Sequence, residues 1–124
     1  MTKKRTNLYS LKNDRYAKSR GGNSHFLDIY CSKCNHFLLL YQKDGQGALL
    51  RLYLDRIFEP SSIARLQFDC HSKNDMPNLK CPNCQNLVAL PMVYKPENRL
   101  AFSLIRGMFV KKKSKGTYPP VKKL

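Results

Sequence analysis

The sequence lacks the features of membrane-spanning and secreted proteins. None of its apolar runs approaches the roughly 18–20 residues that are needed to span a bilayer. Residues 1–5 are polar and basic, and no apolar stretch follows them as it would in a secretory signal peptide. We therefore expect a cytoplasmic protein that has no membrane partner.

Motifs for catalysis and nucleotide binding are also missing. Residues 43–47 contain two glycines but lack the following lysine of a phosphate-binding loop, and a hairpin turn explains them more simply. Cys70 and His71 do not form a nucleophile and base, because adjacent residues of a strand point to opposite faces. We expect that the protein is not an enzyme and has no small-molecule substrate.

Acidic residues are scarce. The 124 residues include 8 Asp and Glu against 23 Lys and Arg, which gives a formal net charge of +15. Residues 1–20 carry a net +6, residues 111–124 carry another +6, and the middle of the chain carries only +3. Such an excess, concentrated at the two ends, indicates an acidic polymer as the partner.

The charge distribution suggests three segments. We expect a basic N-terminal arm over residues 1–24, a folded domain over 25–110 and a basic C-terminal tail over 111–124. The arm ends in a Gly-Gly junction and the tail contains a Pro-Pro pair, so both should be flexible when alone. In one interpretation they only keep the protein soluble. In the other they neutralise phosphates, while their tyrosines stack on bases.

Two C-x2-C motifs are the strongest signal in the chain. Cys31 pairs with Cys34, and Cys81 pairs with Cys84. This spacing lets both thiolates of a motif curl around one ion, and two motifs complete the tetrahedral shell that Zn²⁺ accepts. The sequence therefore predicts one structural zinc, and iron held by the same four thiolates is the alternative.

The fifth cysteine, Cys70, lacks ligand spacing. The odd number of cysteines and the absence of a signal peptide argue against a disulfide framework. We interpret Cys70 as a small buried thiol. A redox- or metal-responsive regulator that uses Cys70 remains the weakest of the functional alternatives.

The middle of the chain contains an internal repeat. A shift of 50 residues superposes the two cysteine motifs, places residues 37–40 on 87–90, and places 50–54 on 100–104. Each half predicts a cysteine turn, an apolar strand, a tight turn and a second strand. A helix competes with the strand over residues 50–58, and a short helix is expected near residues 60–67.

A cysteine turn that leads into a β-hairpin, present twice around one metal, resembles the zinc ribbon family. The resemblance covers about residues 30–110, and the four paired cysteines are the residues that it carries over. It implies a mainly β fold built of two such halves around one four-cysteine site. Zinc ribbons commonly have glycine after each second cysteine, whereas this chain has Asn35 and Gln85. Members bind DNA, RNA or proteins, so the fold alone does not define the function.

Two functional hypotheses follow. The first is a structural-zinc protein that binds nucleic acid, RNA rather than DNA, because its small core and two arms are similar to ribosomal proteins. The second is an adaptor or subunit in a larger protein or ribonucleoprotein assembly. The residues expected to contact nucleic acid are Lys3, Lys4, Arg5, Arg15, Lys18, Arg20, Arg51, Tyr53, Lys111, Lys112, Lys113 and Lys115.

Overall fold

A computed structural model describes residues 6–120 and shows a mainly β architecture. Its strands are β1 (Asn7–Leu8), β2 (Ser24–Cys31), β3 (Phe37–Asp44), β4 (Arg51–Tyr53), β5 (Ile57–Glu59), β6 (Leu79–Lys80), β7 (Leu87–Tyr94), β8 (Arg99–Leu104), β9 (Phe109–Ser114) and β10 (Thr117–Tyr118). Its helices are α1 (Arg15–Ser19), α2 (Ser61–Ala64) and α3 (Leu66–Asp69), with short 3₁₀ helices at Leu54–Arg56, Lys73–Asp75 and Lys95–Glu97. None of the helices in the described segment is both long and apolar enough to cross a membrane.

The strands form two four-stranded antiparallel sheets and one two-stranded sheet. The first sheet has the order β5-β3-β2-β9, the second has the order β4-β8-β7-β6, and β1 pairs with β10. A continuous buried cluster joins the two larger sheets, with Ile29 and Leu39 from the first and Leu52, Val88 and Phe102 from the second. Burial of each such side chain contributes about 1.5–3 kcal/mol.

The other face of β2 and β3 is also covered, by aromatic side chains. Phe26 of β2 contacts Phe58 edge to face, with 5.4 Å between ring centroids, and Tyr9 lies against Phe58 at 5.2 Å. Phe37 of β3 contacts Tyr118 of β10 at 5.7 Å. Because both faces of β2 and β3 are covered, these strands are apolar for most of their length.

The N-terminal segment packs against the sheets instead of forming a free arm. The Asp14 side chain caps α1 by accepting hydrogen bonds from two backbone amides, and Ala17 of α1 is buried. The same carboxylate pairs with buried Arg56 at 2.6 Å, and Arg20 pairs with Glu97 at 2.7 Å. Residues 6–24 thus belong to the folded unit, which corrects the boundary expected at residue 24.

The boundary expected at residue 110 is corrected as well. It falls inside β9, which is an edge strand hydrogen-bonded to β2 over six residue pairs. The composition of residues 111–114 resembles a tail because edge strands of soluble sheets often carry lysine on their open side. Lys3, Lys4 and Arg5 lie outside the described residues, as do residues 121–124.

The internal repeat holds in the second half and departs from prediction in the first. In the second half, β7 and β8 form the expected hairpin. In the first half, β4 does not pair with β3, because β5 occupies that edge of β3. Instead β4 pairs with β8, so that Leu52 lies opposite Phe102, its own equivalent in the repeat. The two halves are therefore joined through equivalent strands.

The periodicity of residues 50–58 fits both a strand and a helix, and the structure has two short strands there. The strands β4 and β5 flank the 3₁₀ helix at Leu54–Arg56, which accounts for the mixed periodicity of this segment. The short helix expected near residues 60–67 is present as α2 and α3. Pro60 stands at the N-cap of α2, where its missing N–H has no consequence.

Candidate metal centre

The two cysteine turns have the same backbone geometry. In each turn the amide of the first cysteine donates to the carbonyl five residues later, at 2.9 Å in both. The amide of the residue after the second cysteine donates back to the carbonyl of the first cysteine, at 2.9 Å and 2.8 Å. The first turn connects β2 to β3, and the second connects β6 to β7. The repeat in the sequence is therefore a repeat in structure at this site.

The residue after each second cysteine adopts a left-handed backbone conformation. Asn35 has φ 63° and Gln85 has φ 66°. Glycine has no Cβ and adopts this conformation freely, asparagine tolerates it, and glutamine is strained there. The chain therefore keeps the turn geometry that zinc ribbons commonly build with glycine, at some cost in the second turn.

The four paired cysteines form one cluster. Their sulfur atoms all lie within 4.8 Å of one another. The Sγ atoms of Cys31 and Cys84 are 3.6 Å apart, and those of Cys34 and Cys81 are 3.5 Å apart. The closest contacts between sulfur atoms therefore join one turn to the other. Sulfur ligands placed about 2.3 Å from a tetrahedral Zn²⁺ are separated by about 3.8 Å. The cluster therefore fits one ion and closes its shell with four ligands.

The electrostatics of the cluster also suit a cation. Burial opposes ionisation of Cys31, but backbone amides of Cys34 and Lys33 and the side chain of Asn86 stabilise its thiolate and lower its pKa to about 6. At Cys84 the backbone amide of Asn86 lowers the pKa, but burial and the three neighbouring sulfurs raise it to about 12. Thiolates this close repel one another, and a divalent cation removes that repulsion.

Asn86 is a supporting residue that the cysteine spacing did not reveal. Its side-chain amide donates to Cys31 Sγ at 3.5 Å and to the carbonyl of Met108 at 3.2 Å. It thereby ties the second turn to the sulfur of the first turn and to the loop before β9. The equivalent residue in the repeat, His36, is exposed and contributes backbone groups instead.

Cys70 is separate from the cluster. Its side chain is buried, and its thiol donates to the carbonyl of Asp75 at 3.5 Å. Burial, with Asp75 and Asp69 nearby, raises the pKa of the thiol. A raised pKa disfavours the thiolate that redox chemistry requires, and the buried position agrees with the interpretation of Cys70 as a core residue.

Most of the described basic residues expected to contact nucleic acid are exposed. They include residues of α1, of the edge strand β9 and of the turn that follows it: Arg15, Lys18, Lys111, Lys112, Lys113 and Lys115. The ammonium of Lys112 lies 5.0 Å from the ring centroid of Tyr30. In the described part of the chain no carboxylate forms an ion pair with any of the six. The structure thus presents an unpaired basic strand along one sheet edge.

Two of the expected contact residues have other roles. Tyr53 is only 7% exposed, and its ring centroid lies 3.8 Å from the guanidinium of Arg99, so the ring is not free to stack on a base. Arg20 forms two hydrogen bonds with the carboxylate of Glu97, at 2.7 Å and 2.8 Å, which neutralises its charge. Tyr53 and Arg20 differ from the prediction for the same reason, because their partners Arg99 and Glu97 come from a distant part of the chain.

Arg51 remains partly exposed, and an aromatic ring orients it. Its guanidinium lies 4.4 Å from the ring centroid of Tyr94 and donates to the hydroxyl of Tyr53 at 3.1 Å. Among the described residues no carboxylate pairs with it. Its guanidinium is therefore fixed in position, and its positive charge is available to bind an anion.

Comparisons with known proteins identify no family for this chain. No protein-family model, no curated protein and no solved structure matches it. The four-cysteine cluster in a mainly β fold is consistent with a small metal-binding β domain.

Proposed function

We propose that the protein binds nucleic acid, RNA rather than DNA, and that one structural Zn²⁺ held as in zinc ribbons stabilises it. The observation that carries the proposal is the row of exposed lysines on β9, which has no acidic partner among the described residues. Three successive lysines on a strand project to both faces of its edge, where a phosphate backbone can reach them.

Zinc is the metal we propose for the cluster, with a structural role. Four cysteine ligands close the tetrahedral shell and leave no position for water or substrate. A metal of this kind supports folding, and catalysis is not expected from it. We accordingly propose a binding protein and not an enzyme.

The exposed lysines of β9 also have a structural explanation. Lysine on an edge strand prevents the sheet from pairing with another sheet. That role does not require the formal charge of +15 that the whole chain carries. A concentrated positive charge of this size favours association with a polyanion.

The salt dependence of RNA binding tests the proposal. We expect the affinity for a labelled single-stranded RNA to fall steeply between 50 and 200 mM KCl, measured by fluorescence anisotropy. The triple variant Lys111→Gln, Lys112→Gln, Lys113→Gln should lower the slope of log K against log salt by about 2, because each lost phosphate contact lowers it by about 0.7 for single strands.

A control with the same charge change uses three exposed lysines elsewhere. Lys73→Gln, Lys80→Gln and Lys95→Gln together should leave the slope closer to that of the unmodified chain. DNA of the same sequence tests the preference for RNA. If the chain binds neither nucleic acid at 50 mM KCl, or if the affinity is independent of salt, the proposal is wrong.

An adaptor role in a larger assembly is the second candidate. It is favoured by an apolar groove of about 790 Å³ beside the metal centre. Pro60, Ile63, Leu66 and Phe102 line the groove together with the Pro119-Pro120 pair. An apolar protein contact would be nearly insensitive to salt, so the same titrations separate the two candidates.

A further inference from the structure

A second cavity lies at the loop between β3 and β4. It has a volume of about 320 Å³ and is lined by the side chains of Arg20, Lys43, Arg51 and Tyr53 and by residues of the loop 45–50. Asp44 is the one carboxylate among the described residues that line it. The cavity therefore has an excess of positive charge.

Asp44 does not neutralise this excess, because other groups already bind it. Its carboxylate accepts hydrogen bonds from Arg56 at 2.8 Å, from Ser24 at 2.6 Å and from Gln42 at 2.8 Å. Arg20 is likewise matched by Glu97. The net positive charge of the cavity thus comes from Lys43 and Arg51.

Lys43 is a buried cation, and no carboxylate of residues 6–120 is in ion-pair contact with it. The residue is 8% exposed, and its ammonium donates to the carbonyl of Gly45 at 3.0 Å. Burial lowers the pKa of Lys43, and Lys111 and Arg20 lower it further, against the opposing effect of Asp44. An ammonium held in such a place is stabilised when an anion joins it.

Arg51 and Tyr53 complete the donor set. Arg51 is held over the Tyr94 ring, and its position therefore costs little side-chain entropy when a ligand binds. The Tyr53 hydroxyl accepts from Arg20 at 3.2 Å and from Arg51 at 3.1 Å. Its own proton has no acceptor within residues 6–120, so it is free to be donated to a ligand.

We propose that this cavity binds a phosphate group of the nucleic-acid backbone, with the Lys43 ammonium, the Arg51 guanidinium and the Tyr53 hydroxyl as donors. The inference rests on the proposed function and gives it a specific binding site. A phosphate offers several acceptor oxygens to the donors that line one cavity. The cavity would hold one phosphate in a defined position, whereas the lysines of β9 attract the rest of the strand.

The test is an NMR titration of the zinc-loaded full chain with inorganic phosphate and, separately, with octauridylate. We expect saturable shifts at Lys43, Arg51 and Tyr53 with both probes. Arg51→Met and Lys43→Met should each weaken both interactions about tenfold, as expected for a lost charge-assisted hydrogen bond. Arg106→Met and Lys80→Met remove the same charges from exposed positions outside the cavity and should change the affinity for phosphate less than twofold.

The outcomes separate the inference from the proposed function. If the two cavity variants bind phosphate and octauridylate as tightly as the two controls, the inference is overturned, while salt-dependent RNA binding would still support the proposed function. If phosphate binds in the cavity but octauridylate does not bind at all, the cavity serves a phosphorylated small molecule and the inference is again wrong. Circular dichroism melting checks that Lys43→Met is folded, and Arg51→Met decides the test if it is not.

Discussion

Asn35 and Gln85 show how a single backbone conformation defines the metal centre. Both residues follow the second cysteine of a turn and both have positive φ. The left-handed conformation directs the chain back from the turn into the next strand, so it is required whichever residue stands there. Because glutamine bears a Cβ, Gln85 holds this conformation against a cost of about 1–2 kcal/mol.

Replacement of Gln85 by glycine should therefore stabilise the protein. We expect Gln85→Gly to raise the free energy of unfolding by about 0.5–1 kcal/mol, the relief of strain less the greater entropy of an unfolded glycine. Chemical denaturation of the metal-loaded chain measures it. Gln46 is exposed and its own φ is not positive, so Gln46→Gly is the control and should not stabilise. Equal effects of the two substitutions would show that Gln85 is not strained.

Among the contacts between elements, the ion pair of partly exposed Asp14 with buried Arg56 attaches α1 to the sheets. Arg56 is 1% exposed and lies between the carboxylates of Asp14 and Asp44, at 2.6 Å and 2.8 Å. Asp14 also caps α1, so one side chain both begins the helix and docks it. The hydrogen bonds from Arg56 hold the pKa of Asp14 well below its usual range, although burial opposes this.

Asp14→Asn tests this attachment, because asparagine keeps the cap and removes the charge. We expect a loss of about 1–2 kcal/mol of unfolding free energy, toward the low end of the roughly 1.5–3 kcal/mol of a hydrogen bond to a charged group, because Asp14 is partly exposed. The folded pKa of Asp14 is lowered, so its contribution is complete above the unfolded pKa of about 3.9 and declines as pH falls below it. The loss should thus be equal at pH 5.5 and pH 7.5 in urea unfolding experiments.

The exposed pair of Arg65 and Asp69 provides the matched control. Its nitrogen and oxygen are 3.8 Å apart, and both side chains are more than half exposed. Asp69→Asn should cost less than about 0.5 kcal/mol. If Asp14→Asn costs no more than this control, the ion pair does not attach α1.

The four-cysteine cluster connects the two halves of the folded chain. The closest sulfur contacts cross between the two turns, so an ion bound there would join the first half of the chain to the second. The pairing of β4 with β8 joins the same two halves on the other side of the core. A metal held by the four cysteines would therefore act together with the apolar core to support one folded unit.

Removal of the metal should accordingly destabilise both sheets together. Native mass spectrometry of the purified chain should show one zinc, and a chelator should remove it with loss of the folded state. Metal binding that is coupled to folding contributes on the order of 10 kcal/mol in small zinc domains at pH 7. A mass that corresponds to iron would support the alternative metal, and a chain without any metal would refute the proposed site.

Features that depend on local spacing and pattern could be predicted from the amino-acid order. The sequence predicts the four-cysteine cluster from its two C-x2-C motifs, and it also predicts the short helix after Pro60 and the hairpin of β7 and β8. Each depends on residues close together in the chain, where chemistry and periodicity act directly.

Contacts between distant segments could not be predicted from the sequence and became evident from the folded chain. It paired β4 with β8 instead of β3, placed Lys111 in a sheet, and turned Tyr53 from an expected base-stacking residue into a partner of Arg99. Several strand edges and several charged residues could take the same partner, and the sequence pattern does not show which of them does. Burial and pairing across the whole chain make that choice, because the gain from each contact depends on every other segment that is already in place.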